Sequence, residues 1–498
     1  MKKELKIISF LLLIPMMLSG CNNSQTTEES SKASISSSSS SSSSSSKTTS
    51  SSSSSREDSS PEEDLKKYDL VDLSYLKDGK VINTYRDGGI NHSLIDERIV
   101  VNNNNDYLPV DKNSSFYDLY GDDIDVSSFN KYDLSVPNNI KSVDKNQKYD
   151  VLLFVHPGAW IKGSKDDFSK EGVTFASILS GNADLDTSSV SNIDLERRFI
   201  SISMNHTLLV EKAGYKELSV YRMLDEIDAC VNDAVSRLEK HGFKKEQLRL
   251  TLLGMSSGSH LLSLYAYTRS KTCKIDIKAL IDIVGPISFS QQAFKEFQSE
   301  TLRNNGADIE DIKDPLQDLN YDDYVDKEDC LTSSYSFIRK FDEASTMKLI
   351  NALASSQFSE EEIDSLIDNS GHVIENEDSL FLNNEVMKSL SPVEHIDENS
   401  VPVFMVYGGK DQVIGVNHYS LMKEKLQEKS VLYRKKLISD FDHTLGYEQI
   451  KKIIFNKDGT LKKQEDYKTE DILKLWSLMK IYQELATEMK DFLNETLI

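Results

Sequence analysis

The stretch Leu248-Arg-Leu-Thr-Leu-Leu-Gly254-Met-Ser256-Ser-Gly258-Ser-His260-Leu-Leu-Ser-Leu-Tyr265 constrains what this chain can fold into more than any other. An apolar run of strand length breaks at Gly254 to Gly258 into a segment whose apolar residues, Leu261, Leu262, Leu264 and Tyr265, recur at helical spacing. The predicted order is strand, tight turn, helix. Two glycines flanking a serine in such a turn let the strand and helix backbones crowd together, holding the serine in a strained conformation with its hydroxyl outward. The helix that follows adds free N–H groups and the positive end of its dipole, so negative charge is favoured there. A plain Gly-Ser-rich loop would carry the same five letters, so the segments around it must decide.

Those segments are regular. Apolar runs at Tyr149–Val155, Phe199–Met204, Leu248–Leu253, Ile277–Val284, Val401–Val406 and Val431–Ile438 alternate with helical stretches, most plainly Leu218–Leu238 with Val220, Leu224, Ile227, Cys230, Val231 and Ala234 on one face. Strands alternating with helices indicate an α/β fold, a mainly parallel sheet with helices on both faces, whose sites form at the C-terminal strand ends. Between Gly285-Pro286 and Ser391-Pro392 the alternation is interrupted by helical patterns at Ala344–Phe358 and Glu361–Ile367. A structureless loop of that length is improbable, so about 287–390 reads as an inserted helical cap. Thr469–Leu493 is expected to be the last helix.

The chain of 498 residues opens with Lys2, Lys3 and Lys6, then an apolar run to Met17, then Leu18-Ser-Gly-Cys21. This is a signal peptide over residues 1–20, too short for a comfortable membrane span. A Ser- and Thr-rich tether follows over 21–61, with a reach of roughly 30–40 Å if flexible. Residues 62–130 form an N-terminal extension to which we assign no function, and 131–498 the catalytic-type domain. The net charge of −23 argues against a nucleic-acid partner, because phosphate backbones select Lys and Arg. Once Cys21 is set aside, Cys230, Cys273 and Cys330 are an odd set, which argues against a disulfide framework. Cys230 reads as a core residue, and a Cys273–Cys330 bridge has no support.

A serine is a poor nucleophile without a base to take its proton and a third group to orient that base. Val401-Pro-Val-Phe-Met-Val-Tyr-Gly-Gly-Lys-Asp411 is a strand ending in a Gly turn and an aspartate, and Val431–Ile438 is a strand followed by Ser439-Asp-Phe-Asp-His443. Ser256, Asp411 and His443 are the candidate nucleophile, acid and base, in a chain order known for serine hydrolases. Among the nine histidines, His260 is the nearest rival in sequence, but one turn beyond Ser256 its ring would be directed along the helix. His92, His241, His372, His395 and His418 have no strand end to position them. Asp440 and Asp442 rival Asp411 but share a loop with His443, a poor place from which to accept its Nδ1–H. Acyl transfer also needs oxyanion donors. The turn His156-Pro157-Gly158-Ala159-Trp160 after its strand offers the N–H groups of Gly158 and Ala159, and Ser257 offers a third; Pro157 cannot donate. A strand-to-helix loop with a Pro-Gly turn is the bland alternative.

The run His156-Pro-Gly-Ala-Trp-x-x-Gly-Ser-Lys resembles the H-G-G-G-W-x-x-G segment of α/β-hydrolase esterases related to hormone-sensitive lipase and the feruloyl/acetyl esterases. Gly254-Met-Ser-Ser-Gly-Ser-His is similar to their G-x-S-A-G-x-H elbow. Ser391-Pro-Val-x-His-Ile and Gly408-Gly-Lys-Asp411 match the stretches before and at their acid, and His443 stands where their base does. The resemblance covers roughly residues 130–290 and 388–490 and implies an α/β-hydrolase fold and a Ser-His-Asp triad. Three positions depart from it. Pro157 replaces the first glycine, though the donors map to Gly158 and Ala159; Ser257 replaces alanine, with its N–H intact; Met204-Asn-His206-Thr stands in place of Asn-Tyr-Arg. The Leu-Ser-Gly-Cys21 ending resembles a bacterial lipobox, which implies cleavage before Cys21, lipidation of its thiol, and an enzyme held outside the cytoplasm on the cell membrane. The expectation is a serine hydrolase of small-molecule or carbohydrate esters, with no metal or organic cofactor implied. A serine peptidase on the same fold, or a binding lipoprotein that has kept the fold without the chemistry, are the alternatives.

Overall fold

The computed structural model describes residues 76–77, 80–81, 99–106, 120, 126–137, 143–165, 199–210, 218–289, 343–356, 358–365, 384–409, 411, 413–456, 462 and 466–497. The signal peptide, Cys21, the tether, His92, His372 and Cys330 lie outside the described residues, as does much of the span read as a cap.

Eight strands form one sheet: β1 (Ile99–Asp106), β2 (Lys131–Pro137), β3 (Tyr149–Val155), β4 (Phe199–Met204), β5 (Leu248–Met255), β6 (Asp276–Ile283), β7 (Val403–Gly408) and β8 (Tyr433–Ile438). Their spatial order is β8-β7-β6-β5-β3-β4-β2-β1. β2 runs antiparallel to both β1 and β4, and every other pair is parallel. All six predicted strands are present, two with the expected bounds and four with boundaries shifted by one or two residues. Every residue of β3, β4 and β7 is buried, which is why they read as unbroken apolar runs.

Each sheet face carries its own core. On one, Val151, Leu153, Ile202, Leu250 and Leu252 pack with α1 (Val220–Lys240), α2 (Ser257–Arg269) and α6 (Val416–Glu428). On the other, Leu152, Phe154, Leu253, Ile281 and Phe404 meet α7 (Tyr447–Ile454) and α8 (Thr469–Thr496). The α8 stripe Leu475, Leu478, Tyr482, Leu485, Met489 and Phe492 has the three-four spacing that places one face on the sheet. α1 starts two residues later than its apolar pattern because Ser219 caps it, its hydroxyl accepting from Arg222 N–H at 3.4 Å.

The sheet begins earlier than residue 131. β1 lies within the stretch set aside as an extension, and pairs with β2 from Ile99↔Pro137 to Asp106↔Lys131 across a bulge. β2 shows the alternation of a strand with one apolar face: Tyr132, Leu134 and Val136 enter the core. Asp133 points the other way, buried, and is neutralised by the buried Lys165 at 3.2 Å. In its described part, the segment between β6 and β7 is helical, with α3 (Glu343–Leu353), α4 (Glu360–Asp364) and α5 (Asn384–Leu390). Leu349, Ile350, Leu353, Ile363 and Leu390 join the core on the α2 side. The helix expected to run to Phe358 stops at Leu353, and Ser355 and Ser356 turn the chain with positive φ. Cys230 is a buried free thiol and Cys273 a half-buried one, and Cys330 lies outside the described residues. Among the described residues no helix is long and apolar enough to cross a membrane.

Candidate active site

Ser256 sits at the turn from β5 to α2 with φ 51° and ψ −123°, a region that non-glycine residues avoid at a cost of about 1–3 kcal/mol. The surroundings enforce it. Its N–H donates to Ile283 O at 2.8 Å, and its carbonyl accepts from His260 N–H at 3.0 Å, the first turn of α2. A Cβ on Gly258 would stand 2.2 Å from Val155 O, and one on Gly254 would stand 2.5 Å from Gly258 O. Both glycines of the motif are therefore demanded by close backbone approach, and the same approach brings the end of β3 against the elbow.

The parallel order places the ends of β7 and β8 on the same sheet edge, and the two loops that leave them meet Ser256. His443 Nε2 lies 3.0 Å from Ser256 Oγ, and His443 Nδ1 lies 2.8 Å from Asp411 Oδ2. All three side chains are buried. Asp411 Oδ1 accepts from the N–H groups of Val413 and Ile414, each at 2.8 Å, so one carboxylate oxygen is fixed by backbone and the other is left for the imidazole. Asp442, the sequence rival, turns to its own loop, where Oδ1 accepts from Thr444 N–H at 3.0 Å and Thr444 O–H at 2.6 Å.

The Pro157 to Trp160 turn after β3 lies beside the elbow. Gly158, Ala159 and Trp160 all have positive φ (136°, 52° and 63°), and the Gly158 carbonyl accepts from Ile161 and Lys162 N–H groups. Among the described residues, the N–H groups of Gly158, Ala159 and Ser257 have no hydrogen-bond acceptor, and Ser257 opens α2, where the helix dipole is positive.

His260 does not face Ser256. Its Nδ1 accepts from the Trp160 indole N–H at 3.2 Å and its Nε2–H donates to Leu390 O at 2.8 Å. Burial lowers it to about 4, so it is a neutral strut joining elbow helix, Pro157 turn and α5. Trp160, His260 and Phe289 form an aromatic cluster in which His260 meets the other two rings edge-on and Trp160 and Phe289 are tilted to each other. Sequence reasoning passed over Trp160 and Phe289 in that role, although an aromatic directly after a Gly-Ala turn and another after the Gly285-Pro286 turn mark the same sheet edge. His418 is also buried, its Nδ1 accepting from Ile287 N–H at 3.2 Å, and burial lowers it to about 3. At the position where Asn-Tyr-Arg was expected, His206 stacks on His156, with centroids 4.5 Å apart and planes 12° from parallel. Burial holds them at about 4 and about 3, and each Nδ1 bonds the next residue's carbonyl.

No protein-family model matches the chain, and no curated protein sequence matches it. Among solved structures it is similar to a truncated carbohydrate esterase from gut microbiota, 12% identical over 78% of this chain and 96% of that one, with a TM-score of 0.41. It is similar also to esterase B from Lactobacillus rhamnosis (HN001), at 10% identity over 80% and 90% with a TM-score of 0.38. An arylesterase is 13% identical over 72% and 80%, with a TM-score of 0.36. With a serine at the turn between the fifth strand and its helix, an acid after the seventh strand and an imidazole after the eighth, the chain has the α/β-hydrolase fold.

Proposed function

We propose that this protein is a serine hydrolase that cleaves carboxylic esters through an acyl-enzyme. The observation that carries the reading is the unbroken hydrogen-bond chain Ser256–His443–Asp411 at the strained turn. As a neutral imidazole with Nδ1–H held by Asp411, His443 presents a lone pair at Nε2 to the Ser256 hydroxyl. Ser256 Oγ attacks the ester carbonyl while its proton passes to Nε2, and Asp411 stabilises the imidazolium that forms. The carbonyl oxygen, now an oxyanion, is received by the N–H groups of Gly158, Ala159 and Ser257, which would be worth about 3–4 kcal/mol per donor if they act as such donors do elsewhere. Collapse expels the alcohol, which takes the proton from His443; water then repeats the sequence and releases the acid. No step requires a metal or organic cofactor.

The substrate class is a small-molecule or carbohydrate ester, met outside the cytoplasm. The lipobox-like Leu18-Ser-Gly-Cys21 and the serine-rich tether support an enzyme anchored to the membrane through Cys21 alone. Purified protein is expected to be labelled by a fluorophosphonate and to hydrolyse p-nitrophenyl acetate, with Ser256→Ala losing both by several orders of magnitude. An unlabelled wild type beside a labelled control esterase would sink the reading, as would undiminished hydrolysis by the alanine variant. Acetylated sugars run beside p-nitrophenyl esters of rising chain length then identify the acyl and alcohol preferences.

A further inference from the structure

Asp282, on β6, is a fully buried acid flanked along the strand by Leu280, Ile281 and Ile283. It points to the α2 side of the sheet, where Oδ1 accepts from the Ser259 hydroxyl and from Gly285 N–H at 3.1 Å. Oδ2 lies 2.7 Å from the Tyr407 hydroxyl, which is also 2.7 Å from Gly285 O. Tyr407 has one proton and here meets two acceptors, the Gly285 carbonyl and a carboxylate oxygen, at full hydrogen-bond contact. An ionised Asp282 leaves one of those contacts without a hydrogen. A neutral acid satisfies all of them: Oδ2–H donates to the phenol oxygen, the phenol donates to Gly285 O, and Oδ1 accepts twice.

The groups this braces matter to the reaction. Ser259 is three residues beyond Ser256 in the first turn of α2, and Tyr407 is four residues before Asp411 at the end of β7. Gly285 is in the turn after β6, whose Ile283 carbonyl holds the Ser256 N–H. The geometry points to Asp282 as a positioning residue, a neutral carboxylic acid that ties the nucleophile's helix to the strand carrying the triad acid and so sets the span His443 must bridge. It rests on the reading of Ser256 as nucleophile.

Burial pushes in the same direction, so the neutral acid prevails below about pH 6. It raises Asp282 to about 6, and no charged group among the described residues lowers it; only the hydrogen bonds from Ser259, Tyr407 and Gly285 do so. Tyr267 of α2 and Tyr407 of β7 feel its charge, and both are pushed well up by burial with Asp282 as a further cause; Asp411 is another charge felt by Tyr407. Because the folded value lies above the ordinary 3.8, the stability Asp282 confers is complete below 3.8 and lost as the pH rises through about 6.

The test uses kcat and KM for p-nitrophenyl acetate, normalised to sites titrated with a fluorophosphonate, in Asp282→Ala, Asp282→Asn and Tyr407→Phe. Alanine is expected to lower kcat per titrated site about 10- to 100-fold with KM little changed, as a misplaced triad would. Asparagine, which donates from Nδ2 and accepts at Oδ1 as the neutral acid does, is expected to restore kcat. Its melting temperature should rise relative to wild type between pH 4 and pH 7. A kcat per site unchanged in the alanine variant, or an asparagine variant as damaged as alanine, overturns the inference. If Asp282→Ala does not fold, Tyr407→Phe and the asparagine comparison decide it in the same way. A wild type that cannot be titrated overturns the nucleophile reading, and this one with it; a titratable wild type with an indifferent Asp282 overturns only this one.

Discussion

Asp411→Asn tests the proposed triad more sharply than removal of the serine does. The wild-type carboxylate is split in function: Oδ1 accepts two backbone N–H groups at 2.8 Å, from Val413 and Ile414, and Oδ2 meets His443 Nδ1 at 2.8 Å. An amide can keep its oxygen only on one side. Turning the NH2 toward the backbone would set donors against two buried donors, costing about 1–3 kcal/mol each. The amide therefore faces His443 with its NH2, and Nδ1 must become an acceptor. The imidazole then carries its proton on Nε2, 3.0 Å from Ser256 Oγ, where it cannot take the serine's proton. Fold and substrate contacts are untouched. A loss in kcat of about 10⁴, equivalent to about 5.5 kcal/mol of barrier, is expected with KM nearly constant and the melting temperature close to wild type. Stopped-flow acylation by p-nitrophenyl acetate at pH 8, beside thermal melts, measures both. Acylation within about tenfold of wild type would refute the argument, since one decade is too little for an imidazole fixed in the wrong tautomer.

Gly258→Ala would place a methyl 2.2 Å from the Val155 carbonyl, in backbone that cannot retreat, so a loss beyond about 4 kcal/mol is expected, read as a failure to accumulate soluble protein or a collapsed melting temperature. His260→Leu removes the hydrogen bond from the Trp160 indole N–H and the one to the Leu390 carbonyl from a buried site, at about 1–3 kcal/mol each, and urea unfolding measures the fall. Four buried histidines, at 156, 206, 260 and 418, have folded values near 3 to 4, below the ordinary 6.5, so the stability they confer is present above 6.5 and lost as the pH falls toward those values. Asp282 takes up one proton on folding over part of that window, leaving a net three and a slope of up to about 4 kcal/mol per pH unit; a urea midpoint unchanged from pH 7 to pH 5 would contradict it. Cys21→Ser should release the protein from membranes into the medium, and retention in the membrane fraction would remove the lipid anchor from the proposal.

The parts of the fold that were legible share a cause. β3, β4 and β7 are buried on both faces, so they write unbroken apolar runs, and the elbow's glycines are fixed by backbone contacts that tolerate no other residue. β1 and β2 were not read as strands of this sheet because both carry polar residues where the fully buried strands carry apolar runs. Asn102 to Asn105 sit within β1, and Asp133 is a buried acid on the other face of β2 whose partner Lys165 stands more than thirty positions on. A pairing partner that distant leaves no local trace. Ser256, Asp411 and His443 were nameable because each follows a legible strand; the split hydrogen bonding of Asp411, which selects it over Asp442, exists only once the loop has turned back on itself.

The same distinction explains why, among the described residues, a single histidine meets the serine. His156, His206, His260 and His418 are at the same sheet edge as His443, but each spends a ring nitrogen on a backbone or indole group and is buried deeply enough to stay neutral. A neutral imidazole links a donor to an acceptor across one ring, and His260 does so between the Pro157 turn and α5. His443 differs in its partners, not its burial: a carboxylate on one nitrogen and a hydroxyl on the other. None of the other four has a carboxylate as a hydrogen-bond partner in the contacts above, and desolvation lowers each of them. The two buried acids at this edge therefore differ in their partners. Asp411, tied to two N–H groups, turns its second oxygen to the imidazole beside Ser256, whereas Asp282, among the described residues, meets hydroxyls and a backbone N–H but no ring.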